Sequence, residues 1–269
     1  MSDSDTEQRY LVSLAGTISG WDKPQEKLRK AFAENEFILY AQSIVRLLPA
    51  GDKKPHFEVF VRLQEEEQHL IPPGTFLPML ENYDLGPQLD RYVVHRLLNS
   101  FGKKRPEEWG VAHLNLCSGT FADKEFCSFV SEELGRKQVP GDFLCFEFPG
   151  KEADFPASAQ ALAENFKKIG CHISVGAMDD DSIAFKPIKE LRADFLKIGG
   201  GLIRNLATNE AAAAEVRTAA RACRSFDVQT IAQYVESAPT LTLLRKLEID
   251  FAQGYGISKP ALLASAAKC

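Results

Sequence analysis

The sequence predicts an α/β fold in which eight strands close into a modified TIM (β/α)8 barrel with an antiparallel first strand. Through most of the 269 residues, short runs rich in β-branched and aromatic residues alternate with longer helical segments. This alternation is typical of a parallel sheet joined by helical crossovers. A turn-forming stretch, 50–55, separates the first two runs, so these are expected to pair as a hairpin.

The elements follow in a regular order. A first helix is predicted at 24–32, with Pro24 in its first turn. The strands are predicted at 37–42, 57–63, 111–116, 143–148, 172–175, 194–198, 228–232 and 249–252. The helices that precede the later strands are predicted at 89–101, 123–134, 157–169, just before 191, 209–226 and 239–247. Residues 1–22 are polar and weakly patterned, and we expect a leader or linker there, followed by one domain over 23–269.

Composition and charge exclude several classes of protein. Hydrophobic residues make up 45% and charged residues 26% of the chain, as in ordinary globular domains. A net charge of −5 argues against a large DNA- or RNA-binding surface. There is no apolar run long enough to span a membrane and no signal-peptide pattern in the first residues. The six scattered cysteines form no CxxC pair, which favours reduced, buried thiols and a cytoplasmic location.

The second predicted strand has two chemically different faces. The odd-numbered residues of 57–63 are apolar and suit packing beneath helices. Glu58, Phe60 and Arg62 share the opposite face, and burying charged groups is unfavourable unless they have partners. One interpretation is an internal ion pair between neighbouring strands. The other is that this face opens into a ligand site where the Arg62 guanidinium binds a phosphate.

Polar residues end nearly every predicted strand. In (β/α)8 barrels the functional residues lie at the carboxyl ends of the strands, so these side chains are expected to converge on one mouth. They are Gln42, Glu58, Arg62, Asn115, Glu147, Lys197, Glu236 and Gln253.

These residues lie in motifs that resemble the EAL domain, a family that binds and hydrolyses the bacterial second messenger cyclic di-GMP. The resemblance covers about 24–263. The matching segments are 58–62 (EVFVR) for E-A-L-x-R, 115–117 (NLC) for N-L-S, 146–150 (FEFPG) for the E-I-T-E strand, 194–199 (DFLKIG) for D-x-x-K-I-D, 232–236 (AQYVE) for A-E-G-V-E, and 253–260 (QGYGISKP). The resemblance implies the same barrel fold.

The resemblance also implies where the chain departs from active members. Those members hold two divalent cations through Glu, Asn and Asp oxygens, and the metals generate the attacking hydroxide. Here the family's acidic residues fall on Gly150, Gly176, Ala177, Gly199 and Gln233. Asp179–Asp181 lies three residues beyond the aspartate pair and is interpreted as a solvated loop or helix cap, with slippage into the site as the alternative. We therefore expect no bound metal, no cofactor and no catalytic residue.

Residues expected to hold the nucleotide are retained. The resemblance assigns a phosphate to Arg62, a base to Phe60, a guanine edge to Glu236 and Gln253, and phosphate oxygens to Asn115 and Lys197. The full predicted ligand set is Gln42, Glu58, Phe60, Arg62, Asp90, Arg91, Asn115, Glu147, Lys197, Glu236, Gln253 and Pro260.

Three functions follow as hypotheses. The first is a catalytically inactive receptor that binds cyclic di-GMP, most similar to the FimX class of degenerate EAL modules. That class acts in type IV pilus biogenesis and twitching motility and can engage a PilZ-domain protein, so such a partner is expected here, and a homodimer is a further expectation. The second is a weak metal-dependent phosphodiesterase. The third is an EAL-fold protein adaptor that binds no nucleotide.

Overall fold

A hairpin of two long strands begins the barrel in the computed structural model. The structure describes residues 21–49, 54–64, 70–101, 110–150, 158–176 and 185–263. Strand β1 (Phe37–Arg46) pairs antiparallel with β2 (His56–Gln64), from Phe37 opposite Leu63 to Ile44 opposite His56. This confirms the predicted antiparallel first strand, which is four residues longer than the predicted 37–42.

The remaining strands complete a closed barrel. They are β3 (Leu70–Ile71), β4 (Val111–Asn115), β5 (Leu144–Phe148), β6 (His172–Val175), β7 (Phe195–Ile198), β8 (Gln229–Ala232), β9 (Phe251–Ala252) and β10 (Ala261–Leu262). The sheet order is β10-β1-β9-β8-β7-β6-β5-β4-β2-β3, and the β1–β2 pairing closes eight of these strands into a ring. Strands β2 and β4–β9 run parallel to one another, as the alternating pattern predicts, and β1 is antiparallel to both of its barrel neighbours, β2 and β9.

Helices cover the outside of the barrel. They are α1 (Pro24–Ala33), α2 (Pro73–Asn82), α3 (Gly86–Phe101), α4 (Phe126–Lys137), α5 (Ser158–Lys168), α6 (Phe185–Glu190), α7 (Gly200–Arg204), α8 (Glu210–Ser225) and α9 (Ala238–Lys246). The side chain of Asn209 caps α8 by accepting from the amides of Ala211 and Ala212. None of the described helices is both long and apolar enough to cross a membrane.

Four of the described α-helices and strands are absent from the sequence-based order, namely α2, β3, α7 and β10. Helix α2 contains Pro78, which argues against a helix when the sequence is considered alone. Its Phe76, Met79 and Leu80 are nevertheless fully buried, and this burial offsets the missing backbone hydrogen bond. Strand β10 pairs only with β1 and is two residues long, too short for a periodic pattern.

The barrel interior is filled in layers. One layer contains Ile44, Val111, Cys145, Phe195, Ile231 and Phe251. His56 and His113 join this layer through ring contacts with Phe195 and a 3.2 Å contact between His56 Nδ1 and His113 Nε2. Since side chains alternate along a strand, the polar residues two positions further on form the next layer, nearer the mouth. The apolar layer closes the floor of the mouth.

The cysteine prediction is confirmed within the described residues. Cys117, Cys127, Cys145, Cys171 and Cys223 are buried free thiols. Burial raises their pKa values above the ordinary thiol range. Residues 1–20 of the predicted leader, the 179–181 aspartates and Cys269 lie outside the described residues.

Candidate functional site

A cavity of about 890 Å³ opens at the mouth of the barrel. Its wall includes nine of the twelve predicted ligand-binding residues, namely Gln42, Glu58, Phe60, Arg62, Asn115, Glu147, Glu236, Gln253 and Pro260. Lys197 lies just beneath this wall, in contact with two of its carboxylates. The rule that strand ends converge on one mouth therefore locates most of the candidate site.

Glu58 is the centre of a buried hydrogen-bond network. Its Oε1 accepts from Asn115 Nδ2 at 2.8 Å, and its Oε2 accepts from Gln253 Nε2 at 2.8 Å. Gln253 Nε2 also donates to Gln42 Oε1 at 3.0 Å, and Gln42 Nε2 donates to the Ser258 carbonyl at 2.7 Å. Both Glu58 oxygens thus accept from amide donors, one on β4 and one directly after β9, which hold the carboxylate in a single orientation.

Lys197 is the cation of this network. Its ammonium lies 3.0 Å from Glu58 Oε2 and forms a short hydrogen bond to Glu147 Oε2, with no side-chain area exposed. Burial alone lowers the pKa of Lys197, but Glu147 and Glu58 together raise it above its ordinary value. Burial raises the pKa of Glu147, with Lys197 opposing and Glu58 reinforcing that shift. Two carboxylates share one ammonium, which stays protonated.

The second strand does take part in an internal ion pair, but the pair joins β2 to β7, which are not the neighbouring strands of that interpretation. Glu58 pairs with Lys197 on β7, whereas Arg62 has no carboxylate partner among the described residues. Arg62 instead lines the cavity, with its guanidinium carbon 5.9 Å from the ring centres of both Tyr40 and Phe60. One of its N–H groups donates to the Val61 carbonyl at 2.9 Å, and the other donors remain available to an anion, because the guanidinium lies beside aromatic rings.

The positions where the family carries acidic residues have a different chemistry here. A side chain at Gly176 would place its Cβ 2.8 Å from Glu147 Oε1, so the Glu147 carboxylate occupies that space. Gly199 and Gln233 line the cavity without a carboxylate. In the described part of the chain, no cluster of three or more His, Cys, Asp or Glu side chains is arranged to hold a metal ion. Ala177 and Asp179–Asp181 lie outside the described residues.

The donor set does not fit a centre with two divalent cations. Mg²⁺ and Mn²⁺ need several free oxygen ligands. Here the Glu58 oxygens accept from two amides and the Lys197 ammonium, and Glu147 accepts from the same ammonium. A positive charge already lies between the two carboxylates, so a metal would have to displace it.

Asp90 and Arg91 do not line the large cavity. Asp90 is buried and accepts from the Cys117 amide at 2.9 Å and from the Thr120 hydroxyl, beside a second cavity of about 310 Å³ that shares Phe60 and Asn115 with the first. Arg91 pairs with Asp123. The structure thus gives both residues protein partners, and their contact with a ligand stays a prediction.

Asp90 predicts a pH dependence of stability. Burial raises its pKa to about 6, against the opposing hydrogen bonds from Thr120 and Cys117. Folding therefore favours the protonated form, and the resulting stabilisation is complete below about pH 4 and lost as the pH rises through 6. Between pH 4 and 7 we expect the wild type to lose up to about 3 kcal/mol of unfolding free energy relative to Asp90→Asn, measured by urea denaturation. Exposed Asp227→Asn is the control, and parallel curves for wild type and Asp90→Asn would contradict this assignment.

Eight residues of the cavity wall are missing from the predicted ligand set, and three of them carry large side chains, namely Arg204, Tyr234 and Tyr255. Tyr234 and Tyr255 are 54% and 64% exposed, and Arg204 lies with its guanidinium carbon 4.7 Å from the Tyr234 ring centre. They follow β7, β8 and β9 in loops or a short helix, beyond the strand ends that the barrel rule covers. The one available signal is that Tyr234 stands at the glycine of the A-E-G-V-E motif.

Comparisons with known proteins agree with this geometry. The chain is 26% identical over 242 residues to cyclic di-GMP phosphodiesterase PdeB of Shewanella oneidensis, covering 89% of this chain and 28% of that protein. The fold matches the PaMucR phosphodiesterase in complex with c-di-GMP, with a TM-score of 0.79, 23% identity and coverage of 91% and 99% of the two chains. It also matches the FimX EAL domain from Pseudomonas aeruginosa bound to c-di-GMP, with a TM-score of 0.79, 21% identity and coverage of 90% and 97%.

The chain spans little more than a quarter of the length of its curated relative PdeB. The model of the EAL domain family matches residues 25–260, which include every strand of the closed barrel and the whole cavity wall. This chain therefore belongs to the EAL domain family.

Proposed function

We propose that this chain is a receptor for cyclic di-GMP that does not hydrolyse its ligand. The observation that carries the proposal is the absence of a carboxylate at Gly176, Gly199 and Gln233, three positions where the resemblance places acidic residues of active members. Beside them, the Glu58 and Glu147 carboxylates share the buried Lys197 ammonium. With Gly176 and Gly199 at two of the acidic positions, the site lacks the oxygens that bind and activate water on a metal. Among the described residues, no group of side chains is arranged to hold a metal that would generate the nucleophile of a hydrolytic step.

The wall of the cavity supports binding of a cyclic dinucleotide. Such a ligand carries two anionic phosphates and two flat bases, which require cationic donors, apolar surfaces and polar groups for the base edges. Arg62 supplies a guanidinium that has no carboxylate partner among the described residues, and Phe60 supplies an apolar ring. The polar groups are those of Glu236 and Gln253. The cavity volume of about 890 Å³ falls in the range of cavities that enclose ligands of this size.

Titration calorimetry tests binding and hydrolysis together. We expect cyclic di-GMP to bind with the same affinity in EDTA as in Mg²⁺ or Mn²⁺, because the retained groups contact the nucleotide directly. We expect no linear pGpG after prolonged incubation with either metal. Absence of a binding signal at high micromolar nucleotide would contradict the receptor proposal, as would affinity that disappears in EDTA.

A second function has one observation in its favour, which is that the relative PdeB is named a phosphodiesterase. Weak hydrolysis would require a metal to displace Lys197 or to recruit ligands from outside the described residues. Product that forms with Mn²⁺ and disappears in Glu58→Ala would establish this activity. A thermal melting temperature that does not change on adding cyclic di-GMP would instead favour an adaptor that binds no nucleotide, because a ligand selective for the folded state must stabilise it.

The downstream role is proposed by analogy with the FimX class. We infer signalling through protein contacts, with a PilZ-domain protein as the partner and type IV pilus biogenesis as the process. The support is the resemblance of the motifs and the matching fold of the FimX EAL domain. Co-elution with a PilZ-domain protein of the same genome, with and without cyclic di-GMP, tests the partner.

A further inference from the structure

One wall of the cavity is built from a stacked arginine and tyrosine. The Arg204 guanidinium carbon lies 4.7 Å from the Tyr234 ring centre, and both side chains are exposed at the cavity. Within the described residues, Arg204 has no carboxylate partner. An arginine stacked on a ring keeps its face covered and its N–H donors directed outward in the plane of the guanidinium.

The backbone of Tyr234 is in a conformation that bulky residues rarely adopt. Its φ is +56°, in the left-handed region, which is energetically unfavourable for a side chain of this kind. Flanking hydrogen bonds hold it there, from the Gln233 amide to the Ile198 carbonyl at 3.0 Å and from the Val235 amide to the Gln253 carbonyl at 2.9 Å. The surrounding structure thus fixes an exposed tyrosine in a strained position, at a point where a glycine would be unstrained.

Gly200 leaves room for the stack. A Cβ at this position would lie 2.8 Å from Tyr234 Cδ2 and 3.2 Å from Arg204 Cζ. The ring and the guanidinium therefore lie against bare backbone of α7. Tyr234, Gly200 and Arg204 therefore form one surface at the cavity. On this surface the guanidinium N–H groups of Arg204 have no carboxylate partner among the described residues.

We propose that Arg204, whose guanidinium is stacked on the Tyr234 ring, donates hydrogen bonds to the O6 and N7 acceptors of one guanine of the bound cyclic dinucleotide. This inference rests on the proposed function and deepens it by naming residues that determine base specificity. A guanidinium pairs with guanine O6 and N7 through two parallel hydrogen bonds. Adenine presents an amino donor where guanine has O6, so a group with donors alone disfavours it.

The test combines a change in the ligand with a change in the protein and measures whether their effects on affinity are additive. Cyclic di-GMP is compared with its 7-deaza analogue, in which C–H replaces N7 of both guanines, by calorimetry in EDTA. We expect the wild type to bind the analogue roughly tenfold more weakly, and Arg204→Gln to bind the two ligands within about threefold of each other, since its two-donor pairing is already lost. Arg96→Gln, which alters an exposed arginine stacked on Tyr92 outside the cavity, is the matched control and is expected to behave as the wild type.

Variants of Tyr234 show whether the sensitivity to guanine N7 depends on the stacked ring or is lost through a general loss of structure. Tyr234→Phe keeps the ring and is expected to keep the N7 sensitivity, whereas Tyr234→Gly is expected to lose it without a fall in melting temperature, because glycine relieves the backbone strain. Equal weakening of both ligands by Arg204→Gln would show a phosphate contact and overturn the inference. Equal affinity of the wild type for both ligands would also overturn it. Failure of the wild type to bind cyclic di-GMP at all would instead overturn the proposed function, and this inference with it.

Discussion

Replacing Lys197 by Met is expected to destabilise the protein by about 3–5 kcal/mol. The substitution keeps the volume of the side chain but leaves Glu58 and Glu147 as a buried pair of like charges without a counter-ion. Single domains are stable by only about 5–15 kcal/mol, so this is a large part of the total. Urea denaturation at pH 7 measures the effect, with exposed Lys246→Met as the control that changes stability by less than about 1 kcal/mol.

The electrostatic origin of this effect can be separated from packing. Without the ammonium, two buried carboxylates repel each other, and protonation of one of them removes the repulsion, so lower pH stabilises the variant. We expect the deficit of Lys197→Met to shrink as the pH falls from 7 to 4. We also expect Glu147→Gln to recover part of it at pH 7, because one of the two uncompensated charges is then removed. A deficit that stays constant with pH would show that shape, rather than charge, is what Lys197 contributes.

Arg62→Ala is expected to weaken cyclic di-GMP binding by about 2–3 kcal/mol, or roughly 30- to 150-fold in Kd. The Arg62 guanidinium lines the cavity beside Tyr40 and Phe60 and is proposed to contact a phosphate, so its loss leaves that anion without its partner. The folded state should change little, because within the described residues its side chain donates a hydrogen bond only to the neighbouring Val61 carbonyl. Calorimetry in EDTA gives the affinity, and thermal melting without ligand checks the fold.

Arg96→Ala is the matched control for this prediction. Arg96 stacks on Tyr92 at 5.8 Å on the outer helix α3, so its removal deletes the same charge and a similar stack away from the cavity. Its affinity should lie within about twofold of wild type. If Arg62→Ala and wild type bind equally well, the phosphate is held by another residue.

Much of the cavity wall could be predicted from the way side chains alternate between the two faces of a strand. Polar residues two positions beyond a buried apolar residue must lie on the same side of a strand, and in a closed barrel that side is the interior. This places Glu58, Asn115, Glu147 and Gln253 together without any knowledge of distances, as the structure confirms. Residues beyond the strands escape the rule, which is why Tyr234 and Arg204 were not predicted.

The sequence by itself determined the barrel, its antiparallel entry and the convergence of polar strand ends, because these depend on local periodicity and on chirality common to all proteins. Only the tertiary structure decided which charged side chains form ion pairs with each other. The choice of Lys197 over Arg62 as the partner of Glu58 depends on the register between strands far apart in the chain. The fit of Tyr234 over Gly200 depends on the short helix α7 and the loop after β8, which meet only when the barrel closes. Such pairings are set by three-dimensional packing, which no single stretch of residues encodes.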